Sequence, residues 1–171
     1  IALADKVIVM DHGLIEQAAH PREIYDRPHS PYVARFMGGQ NVVSARVLTV
    51  GDEIQAEGAE GGRYAFAPRA ALRTGQEIRF AVRRDKIRLD QGPAGGANAL
   101  PGKVINVEYQ GTFVKVELVT PQAEEFVAHL PESDFFAKPW HFGDEGVARW
   151  QPQDVCMLVG SNNSSGDALA H

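Results

Sequence analysis

ADKVIVMDHGLIEQAAHPREIYDRPHSPYVARFMG, residues 4–38, is the stretch from which the rest of the chain is read. Val7-Ile8-Val9-Met10 is a short unbroken apolar run, Asp11-His12-Gly13 supplies turn residues, and Leu14-Ile15-Glu16-Gln17 leads the chain back. That is a β-hairpin signal. Pro21-Arg22-Glu23-Ile24-Tyr25-Asp26-Arg27 follows, with Pro in the first helical turn, where a missing N–H is tolerated, and Glu23 near the positive end of the helix dipole. Pro28 should end that helix. A second helix is predicted from Pro31 to Met37, with Tyr32, Val33, Phe36 and Met37 at helix-face spacing and Gly38-Gly39 as the stop. The stretch reads as the closing edge of one domain and a connector into another.

From Asn41 the pattern changes to short alternating segments. Val43, Ala45 and Val47 share one face, and Glu53–Glu57 and Arg63–Phe66 look like strands around Gly58 and Gly61-Gly62. Ile78, Phe80 and Val82 alternate with Glu77, Arg79 and Ala81, so one face is core and the other wet. Gly92 to Gly96 is a Gly/Pro/Ala-rich loop between two halves. Beyond it, Ile105, Val107 and Tyr109 are expected on one face of a strand that turns at Gln110-Gly111 and returns through Val114, Val116 and Leu118. Glu125–Leu130, Gly146–Trp150 and Asp154–Val159 are further strand candidates, with Pro131–Pro139 an irregular connection and 160–171 a Ser/Asn/Gly-rich tail expected to be disordered.

The same order of parts occurs twice. Ala45-Arg46-Val47-Leu48-Thr49-Val50 echoes Gly102-Lys103-Val104-Ile105-Asn106-Val107. Each leads, several strands later, to a Gly-x-Glu segment, Gly75-Gln76-Glu77 or Gly143-Asp144-Glu145, and then to Arg83-Arg84-Asp85-Lys86-Ile87 or Gln151-Pro152-Gln153-Asp154-Val155. Two five-stranded halves of short strands with Gly-rich turns predict a mainly β fold made of two small OB-like barrels, since near-closure of each sheet removes its exposed edges.

The bulk numbers set limits. At 171 residues and 44% hydrophobic, the chain can form one full domain or two small ones. A net charge of −5 offers no general attraction for nucleic acid or an anionic membrane. No run approaches the roughly 20 apolar residues of a spanning helix. The single cysteine, Cys156, lies in an apolar run and reads as a small buried hydrophobe, which suits a reducing compartment. The chain begins with Ile1 and is expected to be a piece of a longer polypeptide.

Chemistry-bearing patterns are sparse. No Gly-x-x-x-x-Gly-Lys-[Ser/Thr] loop, no hydrophobic strand ending in Asp-Glu and no Gly-x-Ser-x-Gly turn occurs, so ATP hydrolysis and serine-hydrolase chemistry are not expected of these residues. His12, His20, His29, His129, His141 and His171 are scattered and lack metal-ligand spacing, which reads as solvent-exposed histidines and no metal site. The run Arg79, Arg83, Arg84, Lys86, Arg88 alternates with apolar residues and reads as a solvated face before a nucleic-acid patch. Phe135-Phe136, Trp140-His141-Phe142 and Trp150 read as core or subunit-interface aromatics before a ligand cage. No catalytic, nucleotide-binding or metal residue is nominated.

The ordered strings ADKVIVMDHGLIEQ, PREIYDRP and YVARFMG closely resemble the end of the ATP-binding domain of bacterial ABC importers, where it runs into a C-terminal regulatory β-barrel of the TOBE type. Ala19-His20 departs from a usual Gly-Thr-like pair, removing a hydroxyl N-cap, and Gly39 replaces a usual acid. Arg84 stands where the family's Arg-Pro-Glu segment has Pro, and Gln151 where its second copy has Arg, which puts in doubt only a small anion held there.

The resemblance implies three segments: 1–38, the remnant of the nucleotide-binding domain and connector; 41–160, the OB-like regulatory domain; 161–171, the tail. It also implies a parent ATPase that uses ATP and Mg²⁺, although this piece holds no cofactor. The expected partners are a second copy, transmembrane permease subunits and, in some relatives, a regulatory ligand or protein. Nucleic acid is not among them, and the location implied is the cytoplasmic face of the cell membrane. Asn41-Val42-Val43 and Val107–Gly111 look most like polyamine or ferric-iron importers, then sugar importers. Two alternatives stay open: a free-standing OB-fold oligonucleotide binder, and a module that senses a small ligand directly.

Overall fold

The computed structural model describes residues 6–36, 39–68 and 71–158. The hairpin forms as read: β1 (Val7–Asp11) pairs antiparallel with β2 (Leu14–Ala19). Its two-residue turn places His12 and Gly13 at φ 49 and 76, the left-handed pair that a type I′ connection needs to match strand twist. Helices α1 (Pro21–Asp26) and α2 (Pro31–Phe36) follow, and Val9, Ile24 and Val33 make a small core between them and the hairpin. The absent hydroxyl cap of α1 is replaced: the His20 ring accepts the Arg22 N–H at 3.3 Å. The side chain of Phe36, Met37 and the residues from 159 onward, including the expected tail, lie outside the described residues.

The rest is mainly β and of OB type, and each half of the repeat makes a five-stranded antiparallel sheet. The first runs β3 (Gln40–Thr49), β4 (Ile54–Glu57), β5 (Arg63–Phe66) and β6 (Glu77–Arg83). A 3₁₀ turn, Arg84–Lys86, leads to β7 (Arg88–Asp90). The second half repeats this with β8 (Ala99–Tyr109), β9 (Phe113–Thr120), β10 (Ala123–Pro131), α3 (Glu132–Ala137), β11 (Glu145–Arg149), a 3₁₀ turn Pro152–Asp154 and β12 (Val155–Met157). The sheet orders are β12-β6-β3-β4-β5 and β7-β11-β8-β9-β10. Thus each half gives its fifth strand to the other.

At the bend of each long strand the internal repeat holds bond for bond. Val47 donates to Gln76 O at 2.9 Å and accepts from Gly75 N at 2.8 Å, while Val104 donates to Asp144 O at 2.9 Å and accepts from Gly143 N at 2.8 Å. Gly75 and Gly143 both adopt positive φ, 85 and 89, which an L side chain would resist. Both long strands carry a bulge immediately after this point, at Val47/Thr49 and Val104/Asn106.

That bulge corrects one expectation. Val104, not Ile105, points into the core, Ile105 is turned outward, Val107 packs at the core margin and Tyr109 is exposed. A one-residue shift in a period-two element exchanges its faces, and alternation read through the bulge therefore assigns the wrong one. The segment expected to be irregular, Pro131–Pro139, also differs, because it contains α3. Elsewhere the core face holds, with Val43, Ala45, Val47, Ile78, Phe80, Val82, Val114, Val116 and Leu118 all buried, but Ala81, expected on the wet face of its strand, is buried too because Ala34 and Leu158 cover it.

One core serves both halves. Trp150 lies 5.9 Å from the Tyr64 ring, 6.3 Å from Phe80 and 6.0 Å from Phe126, joining aromatics of the two sheets. A matched pair of asparagines closes the seam. Asn41 at the start of β3 donates to Val127 O and accepts from Val127 N, both at 2.8 Å. Asn98, just before β8, donates to Ala65 O at 2.9 Å and accepts from Ala65 N at 3.0 Å. Each side-chain amide thereby pairs with the other half's outermost strand as a short length of backbone would, and buried peptide groups of β5 and β10 are satisfied.

Candidate functional site

The place where the hairpin and helices meet the barrel is the most elaborate polar constellation in the chain. Arg83, the last residue of β6, donates from one terminal nitrogen to Asp26 Oδ1 at 3.1 Å. Its Nε and other terminal nitrogen reach the Asp85 carboxylate at 3.0 and 2.8 Å, and its guanidinium lies 5.1 Å from the centre of the Tyr25 ring. Burial works against the Arg83 charge, but Asp85, Tyr25 and Asp26 outweigh it, so its pKa is raised. Beside it, Gln40 donates from Nε2 to Tyr25 O at 2.7 Å, and Arg84 N donates to Gly39 O at 3.1 Å. Ala34 of α2 packs on Ala81 of the first sheet and on Leu158, just after β12. Helix α1, helix α2, β3, β6 and the chain after β12 thus converge on one seam.

The basic run does not behave as a single face. Arg79, Lys86 and Arg88 are exposed as expected, whereas Arg83 is committed to the seam and Arg84 is mostly buried, its terminal nitrogen 3.4 Å from Glu125 Oε1. Alternation alone would have put Arg83 on the wet side. The signal that marks it is Asp26-x-Pro28 closing one helix beside Arg83-x-Asp85, and that becomes visible only once the chain is folded.

The aromatic group also divides. Phe135, Trp140 and Trp150 belong to the core. Phe136 and Phe142 are exposed, and Phe136 stacks on Tyr109 at 6.0 Å. His12, His20, His29 and His141 are exposed; His129 is half-buried, stacked 4.3 Å from Phe113. Burial, with Arg84 and Lys115 nearby, lowers the His129 pKa. His171 lies outside the described residues. Cys156 is half-buried at the margin of the Ala34, Ala81, Leu158 cluster, in keeping with a packing role.

Two grooves occupy matching places on the two halves, about 500 and 570 Å³ in volume. In the first, Arg46 and Glu77 face each other across β3 and β6 and pair at 3.3 Å; in the second, Lys103 and Glu145 occupy the corresponding positions across β8 and β11. Both signs of charge line each groove. Among the described residues, no group of three or more His, Cys, Asp or Glu side chains converges as metal ligands, and no helix is long and apolar enough to cross a membrane.

A doubled five-stranded module of this kind, entered through a hairpin and two helices, defines a class: a TOBE-type β domain. Residues 80–158 match the family described as TOBE domain. The spermidine/putrescine import ATP-binding protein PotA of Acidothermus cellulolyticus is 32% identical over 164 residues, 93% of this chain and 42% of that protein. The Fe(3+) ions import ATP-binding protein FbpC of Agrobacterium fabrum is 34% identical over 130 residues, 74% of this chain and 35% of that protein. Among solved structures, the cytoplasmic molybdate-binding protein ModG, in a form with molybdate bound, matches with a TM-score of 0.61 at 18% identity, over 71% of this chain and 97% of that one. That last likeness concerns the fold alone. The chain spans less than half the length of the curated relatives it matches, and it corresponds to the TOBE-bearing region of ABC-importer ATP-binding subunits.

Proposed function

We propose that this chain is the regulatory and dimer-holding module of an ATP-binding subunit that couples ATP hydrolysis to solute uptake, with a polyamine or ferric iron as the cargo ahead of sugar. The observation that carries the reading is the outer face of the β1–β2 hairpin. Ile8, Met10 and Ile15 stand exposed there, with Met10 opposite Ile15, and Leu14, 71% exposed, follows the turn on the other face. Four large apolar side chains on a two-stranded sheet are what remains when a sheet margin is seen without the domain it borders. The seam around Arg83 then gives that domain a rigid grip on the barrel.

In this reading ATP and Mg²⁺ belong to the preceding domain, the second copy pairs through the barrel, and the permease subunits hold the assembly at the inner face of the membrane. Sedimentation of the chain tests the pairing: a concentration-dependent dimer is expected, and a monomer at every concentration up to about 100 μM, where even a Kd in the micromolar range would show, defeats it. Cargo is tested separately, by uptake of labelled putrescine, spermidine, ferric iron and maltose in cells lacking the encoding gene. Loss of polyamine or iron uptake is expected. Unchanged uptake of both removes the cargo assignment.

A further inference from the structure

We propose that the recess formed by Gln40, Val42, Arg84, Glu124 and Glu125 binds a small zwitterion with the size and charge layout of glycine or alanine. The recess measures about 110 Å³ and lies where the start of β3, the Arg84–Lys86 turn and the start of β10 meet. Gln40 is 4% exposed; its Nε2 is committed to Tyr25 O, and its Oε1 has no hydrogen-bond partner among the described residues. The Arg84 side chain is 14% exposed and its Nε likewise has none, although its terminal nitrogen reaches Glu125. A buried acceptor and a buried donor therefore line one small space, and groups of that kind are rare in folded proteins because leaving them unmade is costly.

The fold itself does not demand this arrangement, as the matching end of the barrel shows. There the places of Gln40, Val42, Arg84, Glu124 and Glu125 are taken by Ala97, Ala99, Pro152, Gly62 and Arg63, by the register that equates Asn41 with Asn98 and Val127 with Ala65. None of those five residues carries a recessed amide or guanidinium, and the buried Gln122 amide beside Gly62 has its Oε1 bonded by the Tyr64 hydroxyl. The polar set at the first end is thus an addition to the shared frame.

The ligand class follows from the lining. Something must donate to Gln40 Oε1 and accept from Arg84 Nε. The guanidinium favours a carboxylate, as a planar fork of donors does. The Glu125 carboxylate at the rim favours an ammonium over a neutral amide as the donor to Gln40 Oε1. A free carboxylate would meet Glu125 with the wrong sign, and a pure amine would leave Arg84 Nε unmatched. The volume suits a molecule of roughly six non-hydrogen atoms, or three to four waters. The site is independent of the importer reading.

Titration calorimetry and thermal melts of the chain with glycine, L-alanine, methylammonium chloride, sodium acetate and L-tryptophan test it. Saturable binding of glycine or alanine with a Kd at or below about 1 mM is expected, with Tm rising by about 3–5 °C at tenfold excess over Kd. Methylammonium and acetate should bind at least about tenfold more weakly, and tryptophan not at all. Gln40→Leu should abolish binding. Glu125→Gln, on an exposed carboxylate whose loss leaves the core intact, should weaken it severalfold and decides the matter if Gln40→Leu fails to fold. No saturable response to either amino acid, an equal response to acetate or methylammonium, or unchanged binding in both variants overturns the proposal; the first of these is also the result if only water fills the recess.

Discussion

In the first half of the barrel Ile78 reaches into the core from β6, whereas at the matching place on β11 of the second half stands Gly146, with the Trp140 ring over it. Tyr64 on β5 has Phe126 as its counterpart on β10, but only Tyr64 needs a polar partner, and its hydroxyl donates to the Gln122 amide carbonyl. Leu158 and Ala81 pack together in the first sheet; Asp90 and Arg149 form an ion pair at the same positions in the second. By contrast the glycine turns, the bulges, the asparagine clamps and the exchange of the fifth strand are held in common. The two halves keep the backbone's hydrogen bonding and vary the side chains that fill the space, because an unpaired buried peptide group costs more than an exchange of one apolar filler for another.

The largest effect is expected from separating the halves. Residues 39–91 without β12 leave the β6 edge open and uncover Ala81, while 92–158 without β7 leaves β11 unpaired on one side. Neither piece should show a cooperative denaturant transition alone, and mixing the two should restore one. The intact barrel should melt in a single transition whose calorimetric and van't Hoff enthalpies agree. Two resolved transitions, or one piece that folds by itself, would break the equivalence of the halves.

Next come the clamps. Asn41→Ala strips partners from both peptide groups of Val127, and Asn98→Ala does the same at Ala65, each costing about 2–5 kcal/mol by urea denaturation. Asn98 also sits at φ 57, a conformation Asn accepts better than Ala, so Asn98→Ala should cost about 1 kcal/mol more than Asn41→Ala. Asn98→Gly should recover that increment and nothing else. Equal losses at the two sites would show that backbone strain does not distinguish them.

These positions mark how far the sequence could be read. The hairpin, α1, the strands at Arg63–Phe66 and Glu77–Arg83 and the doubled order of parts were legible, because apolar alternation and turn residues are local signals. Ile105 was misplaced because a bulge leaves no composition mark. The exchange of β7 and β12 was illegible, since a repeat states the order of its parts and not which copy each part joins. Helix α3, six residues with no side-chain cap, is held by Phe135 in the core rather than by propensity. In the sequence Asn41 reads only as part of a connector, and Gln40 carries no local signal. Val127, which Asn41 binds, and Arg84, which lines the recess with Gln40, lie far away in the chain, so the recess belongs to the fold alone.

A comparable or smaller effect is expected where filler and glycine exchange roles. A Cβ at Gly146 would stand 2.8 Å from Trp140 Cζ3, and Trp140 is itself packed in the core, so Gly146→Ala should cost about 1–3 kcal/mol through overpacking. Ile78→Ala leaves a cavity and should cost about 2–5 kcal/mol. Opposite changes in volume at equivalent sites should both destabilise, as thermal melts can read. A neutral Gly146→Ala would mean that Trp140 can withdraw.

The smallest effect lies at the ion pair, and pH separates it from its apolar counterpart. Arg149 holds Asp90 at 2.6 and 3.3 Å while also donating to Pro93 O at 2.7 Å, which ties down the glycine-rich loop between the halves. The Arg149 hydrogen bond, helped by the Gly92 amide, holds the Asp90 pKa below the usual carboxylate value. An acid depressed in the folded state binds fewer protons there than when unfolded. Its contribution is therefore present above the unfolded value of about 3.9 and is lost as the pH falls through the folded value. Both side chains are partly exposed, so Asp90→Asn should cost below about 1 kcal/mol at pH 7, and its difference from the parent should close between about pH 4 and pH 2. Leu158→Ala, at the equivalent place, should cost about 2–3 kcal/mol with no such dependence. Urea midpoints across that range decide the point: if Asp90→Asn keeps a constant deficit down to pH 2, the carboxylate acts by shape, and the two sites differ in filling only and not in charge.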